Sequence, residues 1–195
     1  MTKKELRLEI KNRLAGCGLD FKAESAKICK AILESEAYRK SEIILAYMAM
    51  DDEVDPSEVI QAAVKDGKQV YLPRIIPHSA DMDFYQYDAD GLAREGIYGI
   101  LEPAAVAPML EVKKYKADIL LLTPGRAFTL QGDRLGRGKG YYDCYISRLK
   151  KENDRNVTLA GVCFPVQILP EITTEEHDVK MDLIFRSTIN EKKQS

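Results

Sequence analysis

The feature that most constrains this chain is a pair of short apolar runs separated by one helical segment. "EIILAYM" (42–48) has the length and continuity of a strand buried on both faces. "DPSEVIQAAVKDG" (55–67) follows, with Asp55 placed as N-cap, Pro56 at the first helical position and Gly67 just past the end. "QVYLPRI" (69–75) then reads as the next strand. A strand, a helix and a strand with short connections imply a right-handed parallel unit, and a parallel sheet needs cover on both faces.

The rest of the chain extends that unit. Thr2 and Glu5 form a capping-box pattern, and Leu6, Ile10 and Leu14 recur at helical spacing before Gly16 and Gly18. A second helix is expected over 22–35, with Ala23, Ala26, Ile28, Ile32 and Leu33 inward. "MDFYQY" (82–87) reads as a strand near an edge and "EGIYGILEP" (95–103) as a loop. "KADILLLTPG" (116–125) is the clearest buried strand. A helix is expected over 138–152, with Tyr142, Tyr145, Ile146 and Leu149 on one face, and "VTLAGVCF" (157–164) and "MDLIF" (181–185) complete the sheet. No repeat or linker interrupts the pattern, so one three-layer α/β domain is expected over 1–195. Ligands of such sheets bind beyond the carboxyl ends of the strands, here Met48–Glu53, Pro73–Arg74, Thr123–Phe128 and Phe164–Pro165.

Composition narrows the function. The net charge is −2, without the basic excess of a general nucleic-acid or membrane-surface binder. The longest apolar runs, such as "ILLL" (119–122), are too short to span a bilayer, and "MTKKELRLEIKNRL" alternates with charge where a signal peptide would be apolar. A soluble, cytoplasmic protein is expected. Cys17, Cys29, Cys144 and Cys163 form no CxxC pair, and His78 and His177 adjoin no cysteine cluster, which argues for packed, reduced thiols over a zinc site.

Against this background "GDRLGRGKGYYD" (132–143) is anomalous. Gly136, Gly138 and Gly140 alternate, and each glycine costs roughly 0.5–1 kcal/mol against alanine in regular structure. Such a run is reasonable where the backbone needs left-handed angles or must approach a ligand closely. Backbone N–H groups at a turn leading into a helix make a concave anion site, and Arg134, Arg137 and Lys139 add positive charge. Asp143, one helical turn further on, is a carboxylate that could hold Mg²⁺ bridging phosphates. The spacing is neither that of a Walker A loop nor GxGxxG. The residues alone leave open a surface turn with solvated cations, and an RGG-like RNA contact is disfavoured by the acidic balance.

The longer stretch "PGRAFTLQGDRLGRGKGYYD" (124–143) closely resembles the signature of the 5-formyltetrahydrofolate cyclo-ligase family. The resemblance extends over nearly the whole chain: "KKELR" (3–7), "MAMDDEVD" (48–55), "LPR" (72–74), "GIYGILEP" (96–103) and "HDVKMDLI" (177–184) have counterparts in order. Three positions depart from the family pattern: Thr129, where an aspartate is usual, Cys144, where many members have arginine, and Pro165, where a polar residue is more usual.

The resemblance implies a three-layer Rossmann-like fold, mostly parallel with helices on both faces. It also implies an ATP- and Mg²⁺-dependent ring closure of 5-formyltetrahydrofolate to 5,10-methenyltetrahydrofolate. Arg137, Lys139 and Tyr141 would be catalytic. ATP would be held by Lys3, Lys4, Arg7, Arg134, Leu135, Gly136, Arg137, Gly138, Lys139, Gly140, Tyr141 and Tyr142. The folate would meet Met48, Glu53, Arg74 and Tyr98 together with residues 137–141, and Asp143 and Asp178 would ligate the metal. Of the adjacent Tyr141 and Tyr142, one is expected in the core and one at the site. The implied partners are small molecules, without nucleic acid or membrane, and the implied state is a monomer or weak homodimer. Taken residue by residue, other readings remain. Lys3 and Arg7 also suit a solvated helix face, Met48 a core position, and the acidic run 51–55 a solvated loop. A non-catalytic nucleotide or folate binder would keep the same glycine turn. A sugar-phosphate isomerase would need a base near the strand ends, for which only the acidic run offers a candidate.

Overall fold

The βαβ unit read from the sequence forms the middle of a six-stranded sheet. In the computed structural model, residues 1–76, 79, 81–88, 92–95, 99, 101–104, 106–112, 117–152, 157–175 and 178–187 are described, with 92–95 and 152 as backbone alone. The elements run α1 (Lys3–Gly16), α2 (Phe21–Leu33), α3 (Glu36–Lys40), β1 (Ile43–Leu45), α4 (Ser57–Lys65), β2 (Gln69–Ile75), β3 (Met82–Gln86), β4 (Leu92–Glu95), β5 (Leu101–Pro103), β6 (Ile119–Pro124), β7 (Ala127–Phe128), β8 (Arg134–Leu135), α5 (Tyr141–Glu152), β9 (Val157–Val162) and β10 (Leu183–Phe185), with a 3₁₀ turn at Pro165–Gln167 before β10. The main sheet has the order β10-β9-β6-β1-β2-β3. All its pairs are parallel except β2 with β3, where Ile75 faces Met82.

Strand alternation divides the core into two layers. Ile44, Leu120, Leu122, Ala160 and Val162 pack with Ile10 and Leu14 of α1, Ile28 and Ile32 of α2, and Val59 and Ala63 of α4. Ile43, Leu45, Ile119, Leu121 and Leu159 pack on the opposite face with Tyr145, Ile146 and Leu149 of α5. Ile119 to Leu122 are all buried, and each such side chain contributes roughly 1.5–3 kcal/mol through the area it removes from water. The fold is thus a mostly parallel α/β sheet with helices on both faces, as expected.

Several boundaries differ from the sequence reading. The expected second helix stops at Leu33, and Ser35, whose Oγ accepts from Tyr38 N at 3.1 Å, caps the separate α3. Helix α4 begins at Ser57, one residue later than Asp55 as N-cap implied: Pro56 O is the first carbonyl to accept, from Ile60 N (3.0 Å), while Asp55 Oδ1 accepts from Ser57 N (2.9 Å). The segment read as a loop over 95–103 contributes to the β4–β5 hairpin. A second small hairpin, β7–β8, precedes the glycine turn. It is closed by Thr129, whose Oγ accepts from Asp133 N (3.0 Å) and donates to Asp133 Oδ2 (2.9 Å). The departure at Thr129 therefore keeps the turn's hydrogen bonding, and Pro165 opens the 3₁₀ turn, where its fixed φ suits the first helical position.

Candidate active site

A cleft of about 810 Å³, counted out to its open mouth, lies at the carboxyl ends of β1, β2 and β6. Its largely apolar lining is Tyr47, Met48, Met50, Pro73, Ile75, Met82 and Pro124. The glycine-turn segment contributes Arg134, Gly136, Arg137, Lys139, Gly140, Tyr141, Tyr142 and Asp143, and Glu53 and Glu102 also line the cleft. Chain topology explains this meeting: β1 delivers 47–53, β2 delivers Pro73 and Ile75, antiparallel pairing brings Met82 beside Ile75, and β8 feeds the glycine turn into α5.

Two of the three alternating glycines have the left-handed backbone that the run suggested, and Gly136 does not. Gly138 has φ +100° and Gly140 φ +76°, both in the region where side chains are strained. The first helix buttresses it: Arg7 Nε donates to Gly136 O at 2.8 Å, and the Arg7 guanidinium lies against Gly138. Cys144 N donates to Gly140 O at 2.9 Å, so the turn passes directly into α5.

Charge is distributed unevenly along the glycine-turn segment. Arg134 is nearly buried, its Nη2 donates to Asp143 Oδ1 (2.7 Å), its Nη1 reaches Pro124 O (3.3 Å), and its guanidinium stands 5.7 Å from the centre of the Tyr142 ring. Its Nε is buried without a hydrogen-bond partner among the described residues. Lys139 is exposed at the cleft mouth. Arg137 crosses the cleft edge: Nε donates to Glu53 Oε1 (2.8 Å) and Nη2 to Asp52 Oδ1 (2.5 Å). Glu53 Oε2 also accepts from Met50 N at 3.1 Å, which fixes the carboxylate. Burial alone would lower the Arg137 pKa, but Glu53 and Asp52 outweigh it and raise the value, so the guanidinium stays charged. Burial, reinforced by Glu53, pushes the Tyr142 and Tyr47 hydroxyls well up, keeping both neutral.

The candidate residues divide accordingly. Met48, Glu53, Arg134, Gly136, Arg137, Lys139, Gly140, Tyr141, Tyr142 and Asp143 line one cleft. Tyr141 and Tyr142 both line it, against the expectation of one in the core, because the helix begins at the cleft edge. Arg7 supports the turn from behind. Leu135 is buried in the core beneath α1. Lys4 is exposed, while Lys3 Nζ bonds Asp178 Oδ2 (2.7 Å) and lies 3.2 Å from Glu175. Asp178 belongs to a separate depression with Asp133, Thr174 and Lys180, so Asp143 and Asp178 do not line the same cleft. Arg74 leaves the cleft lining: it donates to Ala104 O (3.0 Å) and stacks on the Tyr85 ring at 3.6 Å. Tyr98 lies outside the described residues. Sequence reasoning missed the apolar lining residues Met50, Ile75 and Met82, and missed Arg126 and Asp52, which join Arg137 in an ion cluster.

A strand-end cleft of this kind places the chain among small-molecule enzymes built on open α/β sheets, which take their ligands where helices start beyond the strands. Comparison with known proteins gives the particular family. Residues 1–187 match the family model described as the 5-formyltetrahydrofolate cyclo-ligase family, and the chain belongs to that family. It is 30% identical over 187 residues to 5-formyltetrahydrofolate cyclo-ligase of Mus musculus, covering 94% of this chain and 92% of the relative. It is 32% identical over 205 residues to the enzyme of that name from Saccharomyces cerevisiae, covering 94% of each chain. Among solved structures, a 5,10-methenyltetrahydrofolate synthetase from Aquifex aeolicus superposes with TM-score 0.75 at 26% identity, covering 95% of this chain and 90% of that one. No helix among the described residues is long and apolar enough to cross a membrane.

Proposed function

We propose that this cyclo-ligase converts 5-formyltetrahydrofolate to 5,10-methenyltetrahydrofolate with consumption of ATP and release of ADP and phosphate. The observation that carries the reading is a single cleft lined both by the glycine-turn segment 134–143 and by apolar side chains. Its cationic glycine-turn segment suits phosphates, and its apolar lining with one fixed carboxylate suits a flat heterocycle.

The chemistry has a defined difficulty. The N5-formyl group is a resonance-stabilised amide whose oxygen leaves poorly, and N10 is a weak nucleophile. Transfer of the γ-phosphoryl group to the formyl oxygen, with ADP departing, converts that oxygen into a leaving group. N10 then bonds to the formyl carbon and gives its proton to solvent, and the C–O bond breaks as phosphate leaves, which forms the N5–CH–N10 amidinium of the product. Phosphoryl transfer needs positioned donors and cations rather than a protein nucleophile. Lys139 and the N–H groups of 138–140 would neutralise the phosphate oxygens, and the unpartnered Nε of Arg134 offers a further buried donor on the same segment. Glu53 would accept from the amino-pyrimidine edge of the pterin, with Met48 against its face. Positioning of this kind can lower a barrier by roughly 7–11 kcal/mol.

Mg²⁺ fits the cleft in one way. The described residues contain no group of three or more acidic, histidine or cysteine ligands, but Mg²⁺ commonly binds through one or two carboxylates plus substrate phosphates and water. Asp143 on the cleft wall suits that role, with charge neutralisation of the phosphates as the chemistry supplied. Asp178, bound to Lys3, is suited to anchoring α1 instead.

The test is direct. Purified protein, 5-formyltetrahydrofolate and Mg²⁺ should give the near-ultraviolet absorbance of the methenyl product only once ATP is added. No growth with ATP, or equal growth without it, overturns the reading.

A further inference from the structure

Four charged side chains from three separate loops meet at the rim of the cleft. Asp52 lies between two guanidiniums: Oδ2 accepts from Arg126 Nη1, and Oδ1 accepts from Arg137 Nη2 at 2.5 Å. Arg137 continues to Glu53 at 2.8 Å. Arg126 is itself fixed, because its carbonyl and that of Gly125 accept from the buried Gln167 Nε2 at 3.1 and 2.8 Å, and its N donates to Leu135 O at 2.7 Å. Asp52 is about three-quarters buried, unlike its exposed neighbour Asp51. Burial alone would raise its pKa, but the two arginines outweigh this and lower it.

We infer that Asp52, held by Arg126, is a positioning residue that sets the guanidinium of Arg137 across the cleft rim and so ties the glycine turn to the loop carrying Glu53. The arginine alone has four rotatable bonds and a partly exposed side chain, so its orientation depends on acceptors at both ends. Glu53 fixes Nε, and Asp52 fixes Nη2; a planar guanidinium held at two edges has one orientation. Asp52 makes the second contact only because Arg126 balances its charge and orients its other oxygen. The consequence for turnover rests on the proposed function; the positioning itself does not.

The experiment has two arms. In the first, the arginine Nε–H resonances of ¹⁵N-labelled protein are recorded, with Arg137→Lys assigning the signal of Arg137. Wild type should show a protected Arg137 Nε–H. Asp52→Asn should shift or broaden it, Arg126→Gln should do the same, and Arg126→Lys should retain most of it. An Arg137 signal unmoved by Asp52→Asn overturns the inference, whether or not the protein turns over folate. In the second arm, kcat and KM are measured for a cycle of Asp52→Asn and Arg137→Gln. Asp52→Asn should lower kcat about 10–100-fold, as loss of an outer orienting partner commonly does. It should add little once Arg137 is already glutamine, with the unfolding midpoint nearly constant. Equal losses in both backgrounds overturn the inference, because Asp52 would then act independently of Arg137. A wild type without ATP-dependent turnover refutes the proposed function instead and leaves the first arm to decide.

Discussion

Replacing Gly138 by alanine tests whether the glycine turn is strained by design. Gly138 has φ +100°, and holding an ordinary residue in such a region costs roughly 1–3 kcal/mol. A Cβ there would lie 3.2 Å from Arg7 Cζ, tight enough that the guanidinium must yield by a few tenths of an ångström. That shift strains the 2.8 Å bond from Arg7 Nε to Gly136 O and at most breaks it. A hydrogen bond from a charged donor is worth about 1.5–3 kcal/mol, and the half-buried setting favours the low end. With that bond anywhere between kept and lost, the total is about 1–4.5 kcal/mol, which for a chain of this size is a fall of roughly 2–18 °C in unfolding midpoint at about 2–4 °C per kcal/mol. Displacement of the turn by about 1 Å should also lower kcat/KM for ATP by about 100-fold. Calorimetry and the absorbance assay read the two effects separately. Gly16→Ala is the control: Gly16 ends α1 without a positive φ and with nothing within 4 Å of the new methyl, so stability should hold or rise by up to about 1 kcal/mol. A Gly138→Ala protein with wild-type midpoint and kcat/KM would refute the reasoning.

Other outcomes follow from the same geometry. Lys139 is exposed at the cleft mouth, so Lys139→Ala should abolish ATP-dependent turnover while the unfolding midpoint moves little; an unchanged rate removes its assigned role. Asp143→Asn should raise the Mg²⁺ concentration needed for half-maximal rate, and titration of Mg²⁺ against initial rate checks it. Arg134→Met leaves Asp143 partly buried beside an uncharged neighbour, so it should lower stability by about 3 kcal/mol by urea unfolding, as removal of one partner of a buried pair does. Burial pushes the Cys29 thiol up to about 11 and the Cys163 thiol up to about 12. The unfolded chain releases these protons first, so stability should be level below about pH 8.5 and fall as pH rises towards 11–12. Urea midpoints across that range should decline less steeply for Cys29→Ala than for wild type.

How much of this was legible depends on whether the cause is local. The span of β2 is as read, 69–75, because Gly67 follows the end of α4 just before it and Val70, Tyr71 and Leu72 form a buried run at its centre. The run 42–48 correctly marked buried chain, yet β1 is only Ile43–Leu45: Ala46 N makes a last bond to Tyr71 O (3.0 Å), Tyr47 stays buried beyond the strand, and apolar character reports burial rather than pairing. The signal for α3 was present in Ser35, an N-cap residue standing at the last position of the helix expected over 22–35. The β7–β8 hairpin had no comparable signal, since two-residue strands are set by contacts such as Met181 N to Gly132 O (2.8 Å) from far along the chain.

The candidate site divides in the same way. A glycine turn is a demand of the backbone on its own residues, so Gly138 and Gly140 were recognisable from composition and spacing alone. An ion cluster is a relation between loops, so nothing about Asp52 in "MAMDDEVD" distinguishes it from exposed Asp51. The distinction arises only when β1 and β6, adjacent in the sheet, bring the loops after their carboxyl ends together and place Arg126 opposite residue 52. Arg137 then completes the set because β8 returns the chain to the end of β6. The cations of the turn are therefore not equivalent, although the sequence presents them as one basic run. Arg134 is committed to Asp143, Arg137 to Asp52 and Glu53, and Lys139 stands exposed at the mouth, the cation best placed to meet an arriving phosphate first.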